Sequence, residues 1–284
     1  MGQHPGLIFR KLVQTEQPLK IVGAINAYSA LQARKAGHKA LYLSGAGVAN
    51  YSLGRPDDGQ SLTLDAVLTD AARILNRVDL PLLVDVDPGF EDPEITVQEL
   101  EKIGVAAIHM EDQIEAKLCG HLPGKQLVTK DEMAGRIRAA LRGRRSRDFV
   151  VMARCDALSV EGLDAVKDRS AFYAEAGADM IFAEAMTDLE HYQSIRQAVG
   201  KPLLANVTEF GKTPLYDTTD LHRHGVDMAL YPLSAARAMA RSAGRVYAAL
   251  ADNTSQKSVV DQMQKRDELY ETLDYKARVE DPAS

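Results

Sequence analysis

The chain has 284 residues, 45% of them hydrophobic, with a formal net charge of −6, two cysteines and no tryptophan. That length supports one large core or two small ones. No apolar run reaches the roughly 20 residues of a membrane helix, the N-terminal MGQHPGLIFRKLV lacks the apolar core of a secretory signal, and no long basic run suits nucleic acid.

Two cysteines make no disulfide framework, so a reducing cytoplasm is the expected setting. After a short N-terminal helical segment, apolar runs of strand length alternate with helix-like patterns. The runs are Lys20–Ile25, Ala40–Ser44, Leu82–Asp87, Val105–Glu111, Phe149–Arg154, Asp179–Glu184, Pro202–Val207 and Asp227–Tyr231. The clearest helices between them are Leu64–Val78, Lys130–Leu141, Glu161–Ala176 and Asp188–Val199. Thr129, ahead of Lys130-Asp131-Glu132, resembles a capping box. Gly37, Gly104, Gly177, Gly200 and Gly225 stand where helix C-caps want glycine. Eight βα units predict a (β/α)8 TIM-type barrel. The alternative, a doubly wound sheet, lacks its Gly-rich phosphate fingerprint after the first strand. Two further helices, Ala235–Ala251 and Ser255–Leu273, follow the eighth strand. The chain reads as one barrel domain over residues 1–284, with 255–284 a helical extension.

Polar residues gather where the runs end, which is where barrel enzymes build their sites. They include Tyr42 and Ser44-Gly45-Ala46-Gly47, Asp85 and Asp87, His109 and Glu111-Asp112, Arg154-Cys155-Asp156, Glu184, Asn206-Val207-Thr208-Glu209, and Ser234. Two positions apart on one strand, Asp85 and Asp87 are expected to point to the same side. With Glu111 on the next strand they suggest a hard divalent cation, most simply Mg2+ with Mn2+ as the alternative. The competing reading pairs each carboxylate with an arginine such as Arg154. Arg154 and Arg237 suit carboxylates bidentately, and Ser44–Gly47 offers backbone N–H groups to an anion. Cys119, between Lys117 and His121, has the cationic neighbours that make a thiol reactive.

Lys117-Leu118-Cys119-Gly120-His121 is similar to the Lys-Lys/Arg-Cys-Gly-His signature of the isocitrate lyase/phosphoenolpyruvate mutase superfamily. The resemblance continues in order through IVGAIN (21–26), Tyr42–Gly47, Leu83–Asp87, Glu111–Gln113, Met152–Asp156, NVTEFG (206–211), ALYPLS (229–234) and QKSVVDQMQKRDELY (256–270). Within the superfamily these segments look like those of members that cleave 2-methylisocitrate to pyruvate and succinate, a step of the methylcitrate cycle in propionate catabolism.

The resemblance implies a (β/α)8 barrel with a C-terminal helix swapped between subunits of a homotetramer. It implies Mg2+ on Asp87, with Asp57, Asp85 and Glu111 nearby through water. It implies Cys119 as acid or base, Tyr42 near the substrate hydroxyl, and Arg154 in the catalytic set. A small di- or tricarboxylate would be held by Ser44, Gly45, Ala46, Gly120, His121, Glu184, Asn206, Thr208, Arg237 and Arg266. There are departures from the family pattern. Leu118 replaces a basic residue, which removes a cation beside Cys119; Ala46 replaces a glycine; Gly89–Val105 is shorter by about one helical turn. The alternatives are lyases or hydrolases of isocitrate, 2,3-dimethylmalate or oxaloacetate, a phosphonate mutase, and a silent barrel kept for binding.

Overall fold

A computed structural model describes residues 2–59, 61–114, 124–252 and 255–275. Eight parallel strands close into a barrel in sequential order. They are β1 Leu19–Gly23, β2 Ala40–Leu43, β3 Leu82–Asp85, β4 Ala107–Glu111, β5 Val150–Cys155, β6 Met180–Ala183, β7 Leu203–Asn206 and β8 Met228–Tyr231. Each expected run overlaps one of them, with ends displaced by a residue or two. β1 pairs with both β2 and β8, closing the wall without a free edge.

Side chains alternate across that wall. One set of each strand packs outward on the helices, as Leu41, Val84, Ile108, Val151 and Ile181 do. The other fills the barrel interior with Ile21, Leu83, Ala107, Met152, Phe182, Leu204 and Leu230. The helix Pro5–Thr15 closes the N-terminal end, its Phe9 and Val13 packing into the same interior cluster. The interior is therefore a packed core below, and only its C-terminal end is open to polar chemistry.

The outer helices follow from local signals. Thr63 caps Leu64–Leu75 by accepting from Ala66 N, and that helix buries Val67, Asp70, Ala71 and Ile74 at three- and four-residue spacing. Asp92 caps Pro93–Lys102 with proline at the first turn. The five expected glycines all have φ between 61° and 112°, the left-handed conformation that ends a helix cheaply only for glycine. Thr129 accepts from Glu132 N at 3.2 Å, but Glu132 turns outward to Arg136 at 2.8 Å. The ion pair one helical turn on competes for the carboxylate that a full capping box would return.

The C-terminal segment departs from expectation. Ser255–Leu273 is not one helix: a 3-10 turn at Lys257–Gln262 and a short α-helix at Arg266–Thr272 flank an extended Met263. Tyr28 donates to Gln264 Oε1 at 2.7 Å, and Glu268 accepts from Lys265 N. A tertiary contact and a new helix cap thus interrupt the pattern. Among the described residues, no helix is long and apolar enough to cross a membrane.

Gly23, at the end of β1, lies against the segment after β8; an added Cβ would sit 1.7 Å from the Pro232 carbonyl oxygen. Gly23→Ala should cost about 1–3 kcal/mol through forced backbone displacement, read as a lower urea midpoint at unchanged m-value.

Candidate active site

The inward face of the wall turns from apolar to charged over one pleat. Leu83 is followed by Asp85, His109 by Glu111, Met152 by Arg154, Phe182 by Glu184 and Leu204 by Asn206, each pair two residues apart. All these polar residues are buried, Glu111, Glu184 and His109 at 1% exposure or less. Closure of the sheet brings them into one ring at the strand C-termini.

Asp85 and Asp87 do converge, though not by strand alternation. β3 ends at Asp85, and Asp87 takes a left-handed φ of 50°, uncommon for a non-glycine residue. Asp87 N donates to Asp85 Oδ1 at 3.2 Å, and Gly45 N donates to Asp85 Oδ2 at 3.0 Å. A Cβ on Gly45 would lie 3.2 Å from both Asp85 Oδ2 and Asp87 Oδ1. Gly45 thus permits the close approach of both carboxylates, and its own N–H faces Asp85. Ala46, inside the helical turn Gly45–Gly47, is not among the residues with positive φ, so its side chain brings no backbone strain.

Among the described residues, no group of three His, Cys, Asp or Glu side chains stands close enough to hold a metal directly. Two carboxylates beside a glycine still suit Mg2+, which binds through one or two carboxylates and keeps water and ligand oxygens for the rest. Glu111 stands 3.3 Å from Arg154, as the arginine-pairing alternative expects. Asp57 is half-buried in the loop before Leu64.

Tyr42 is buried and bonds His109 Nε2 at 2.8 Å; the rings stack with centroids 5.6 Å apart. It also donates to Asp85 Oδ2 at 3.3 Å. Burial, with Asp85 beside it, holds the phenol well above its ordinary pKa, so Tyr42 acts as a neutral donor. Phe182 packs edge-on against the other side of His109. His109 stands among the polar residues expected at the strand ends, with no role expected of it there. The i, i+2 series Ala107-His109-Glu111 was the signal that placed it in the ring.

Arg154 is gripped by Asp156, Nε to Oδ2 at 2.8 Å and Nη2 to Oδ1 at 3.1 Å. Burial works against its charge, but Asp156, Glu111 and Glu184 together keep it protonated. Asp156 in turn accepts from the buried Lys125 at 3.0 Å, and its backbone N donates to Asp112. Burial and the Asp156 charge push Asp112 up to about 6, although Tyr173 donates to it. Lys125, Asp112 and Asp156 carried no assigned role in the sequence, because none lies on a strand's inner face. Burial, with Asp112 nearby, raises the Cys155 thiol well above its usual pKa, which makes it unreactive.

Next to Arg154, at the ends of β6 and β7, Asn206 donates to Glu184 at 3.2 Å, and Ser44 and Thr208 are buried. Arg237 and the Ser234 hydroxyl donate to Glu209, and Arg237 lies over the Phe210 ring at 5.3 Å. Arg266 stands apart: it is exposed at the start of a helix that packs on the helix Ala27–Lys35. Lys117, Leu118, Cys119, Gly120 and His121 lie outside the described residues.

The phosphoenolpyruvate phosphomutase family model matches residues 9–251. The chain belongs to that family. It is 54% identical to the 2-methylisocitrate lyases of Salmonella typhimurium and Escherichia coli, each over 95% of this chain and 93% of the relative. Among solved structures, a 2,3-dimethylmalate lyase of the PEP mutase/isocitrate lyase superfamily superposes with a TM-score of 0.90 at 30% identity, covering 100% of this chain and 97% of the other. This phosphomutase-family chain thus keeps the superfamily barrel, and its sequence is nearer to those 2-methylisocitrate lyases, at 54% identity, than to that solved structure, at 30%.

Tyr42→Phe removes a buried 2.8 Å bond to His109. It should lower folding stability by about 1–3 kcal/mol, checked by chemical denaturation against wild type.

Proposed function

We propose that this chain is a Mg2+-dependent carbon–carbon lyase that cleaves 2-methylisocitrate to pyruvate and succinate in the methylcitrate cycle. The observation that carries the reading is 54% identity to 2-methylisocitrate lyases over 95% of the chain, joined to a mouth holding both paired carboxylates and a buried arginine. Asp87 would hold Mg2+, or Mn2+ in its place, with Asp57, Asp85 and Glu111 reached through water. The metal supplies Lewis-acid polarisation of the substrate's oxygens.

The residues divide the remaining work. Arg154, Arg237, Asn206, Thr208 and the Ser44–Ala46 turn bind carboxylates, with Gly120 and His121 as further contacts and Glu184 orienting Asn206; Arg266, on the outer segment, reaches a mouth only across a subunit interface. Tyr42 holds the tertiary hydroxyl. When that hydroxyl passes its proton to the Tyr42 oxygen, as Tyr42 hands its own to His109 Nε2, its C–O bond becomes the pyruvate carbonyl and the adjacent C–C bond breaks. The bonding pair stays on the succinate fragment, and the Cys119 thiol delivers a proton to that carbon. The role of Cys119 rests on the Lys-Leu-Cys-Gly-His motif.

A homotetramer with exchanged C-terminal helices fits the outer surface. The helix Ser234–Asp252 buries only Ala236 and exposes Met239, Tyr247 and Leu250, with Val260 and Met263 exposed in the segment after it. A cytoplasmic setting suits a chain whose two cysteines, Cys119 and Cys155, make no disulfide framework.

The test couples pyruvate release to lactate dehydrogenase, with 2-methylisocitrate, isocitrate (read as glyoxylate), 2,3-dimethylmalate and oxaloacetate offered in parallel. Preference for 2-methylisocitrate is expected, and turnover of another acid alone would reassign the substrate. EDTA should abolish activity and Mg2+ restore it; activity that survives thorough chelation would remove the metal from the reading. Cys119→Ser should lower kcat by about a hundredfold or more, the scale of a lost general acid.

A further inference from the structure

Four buried charges of alternating sign run from Lys125 through Asp156 and Arg154 to Glu111. Lys125 Nζ donates to Asp156 Oδ1 at 3.0 Å, Arg154 grips both oxygens of Asp156, and Arg154 Nη1 stands 3.3 Å from Glu111 Oε2. The side chains of Lys125, Asp156 and Glu111 are exposed by 1% or less, whereas Arg154 keeps 11%. Arg154 is therefore the member of the chain that reaches the mouth.

Asp156 and Lys125 are each tied to neighbouring backbone. Asp156 N donates to Asp112 Oδ1 just past β5. Lys125 lies beside an antiparallel bridge between Gln113 and Leu127, where Ile114 N donates to Gln126 O and Val128 N to Asp112 O. Lys125 takes part of Asp156 Oδ1, and the Arg154 Nε–Nη2 edge takes the rest. A bidentate grip on one edge sets the plane of a guanidinium and directs its other edge, here Nη1, toward Glu111 and the open mouth.

We propose that Lys125 and Asp156 are positioning residues, which present the outer edge of Arg154 to a carboxylate of the substrate. This rests on the lyase reading, in which Arg154 binds that carboxylate. Lys125 sets the rotamer of Asp156, and Asp156 sets the plane of Arg154. A loss at either position should weaken ligand capture and leave the bond-breaking step nearly intact.

The experiment measures kcat and KM for 2-methylisocitrate with saturating Mg2+ in full-length wild type, Lys125→Met and Asp156→Asn, alongside thermal midpoints. Both variants should raise KM about tenfold, equivalent to roughly 1.4 kcal/mol of lost binding, with kcat within about threefold of wild type. A merely structural role would lower the midpoint and the active fraction and leave KM where it was; that result overturns the proposal. If Asp156→Asn fails to fold, Lys125→Met decides alone. Calorimetric titration of succinate into the same proteins reads Arg154 without turnover. Weaker succinate binding by the variants supports the proposal even if wild type proves inactive on 2-methylisocitrate, an outcome that would sink only the substrate reading. Equal succinate affinity in all three proteins overturns it.

Discussion

Arg154 sits in the barrel wall with Asp156 at 2.8 Å on one side and Glu111 at 3.3 Å on the other. A charge buried alone would cost several kcal/mol, so the strand ends can carry charge only where neighbours balance it. That constraint organises the whole mouth. Glu111 faces Arg154 because β4 and β5 pair in the register that sets them side by side. Asp156 is held by both Arg154 and Lys125, and Glu184 accepts from Asn206. The same need for balance makes a divalent cation a natural partner for Asp85 and Asp87.

Beneath this ring the barrel is apolar and packed, and the division is sharp. Met152 lies one pleat below Arg154, Phe182 one below Glu184, and the helix Pro5–Thr15 seals the far end. The low-dielectric floor strengthens each interaction above it. It raises the Tyr42 phenol, and burial beside Asp156 moves Asp112 up to about 6. The packing that stabilises the fold therefore also sets the proton states of the groups at the mouth.

The outer surface is less self-sufficient. A helix of 19 residues that buries one alanine contributes little to the stability of an isolated chain, since helical stability in proteins comes mainly from packing an apolar face. In the short helix Arg266–Thr272 and the turn after it, Glu271 and Asp274 meet the helix Ala27–Lys35 through ion pairs, Lys35–Glu271 at 2.9 Å and Arg34–Asp274 at 3.6 Å. Such exposed pairs contribute roughly 0–1 kcal/mol each. A second copy covering this face would supply the apolar burial that the single chain lacks.

The amino-acid sequence by itself determined the eight strands, the glycine-capped helices between them and the residues at the strand ends, because hydrophobic period and cap chemistry are local properties. The Lys-Leu-Cys-Gly-His motif and its ordered companions likewise pointed to the superfamily before any geometry. What only the tertiary structure decided was which polar groups meet. Asp87 reaches Asp85 through a left-handed turn rather than a strand pleat. His109 joins Tyr42 across two strands, and Lys125 reaches Asp156 from 31 positions away. The break at Met263 likewise depends on Tyr28. These contacts arise from barrel closure and loop packing, which bring together residues whose spacing along the chain carries no trace of their meeting.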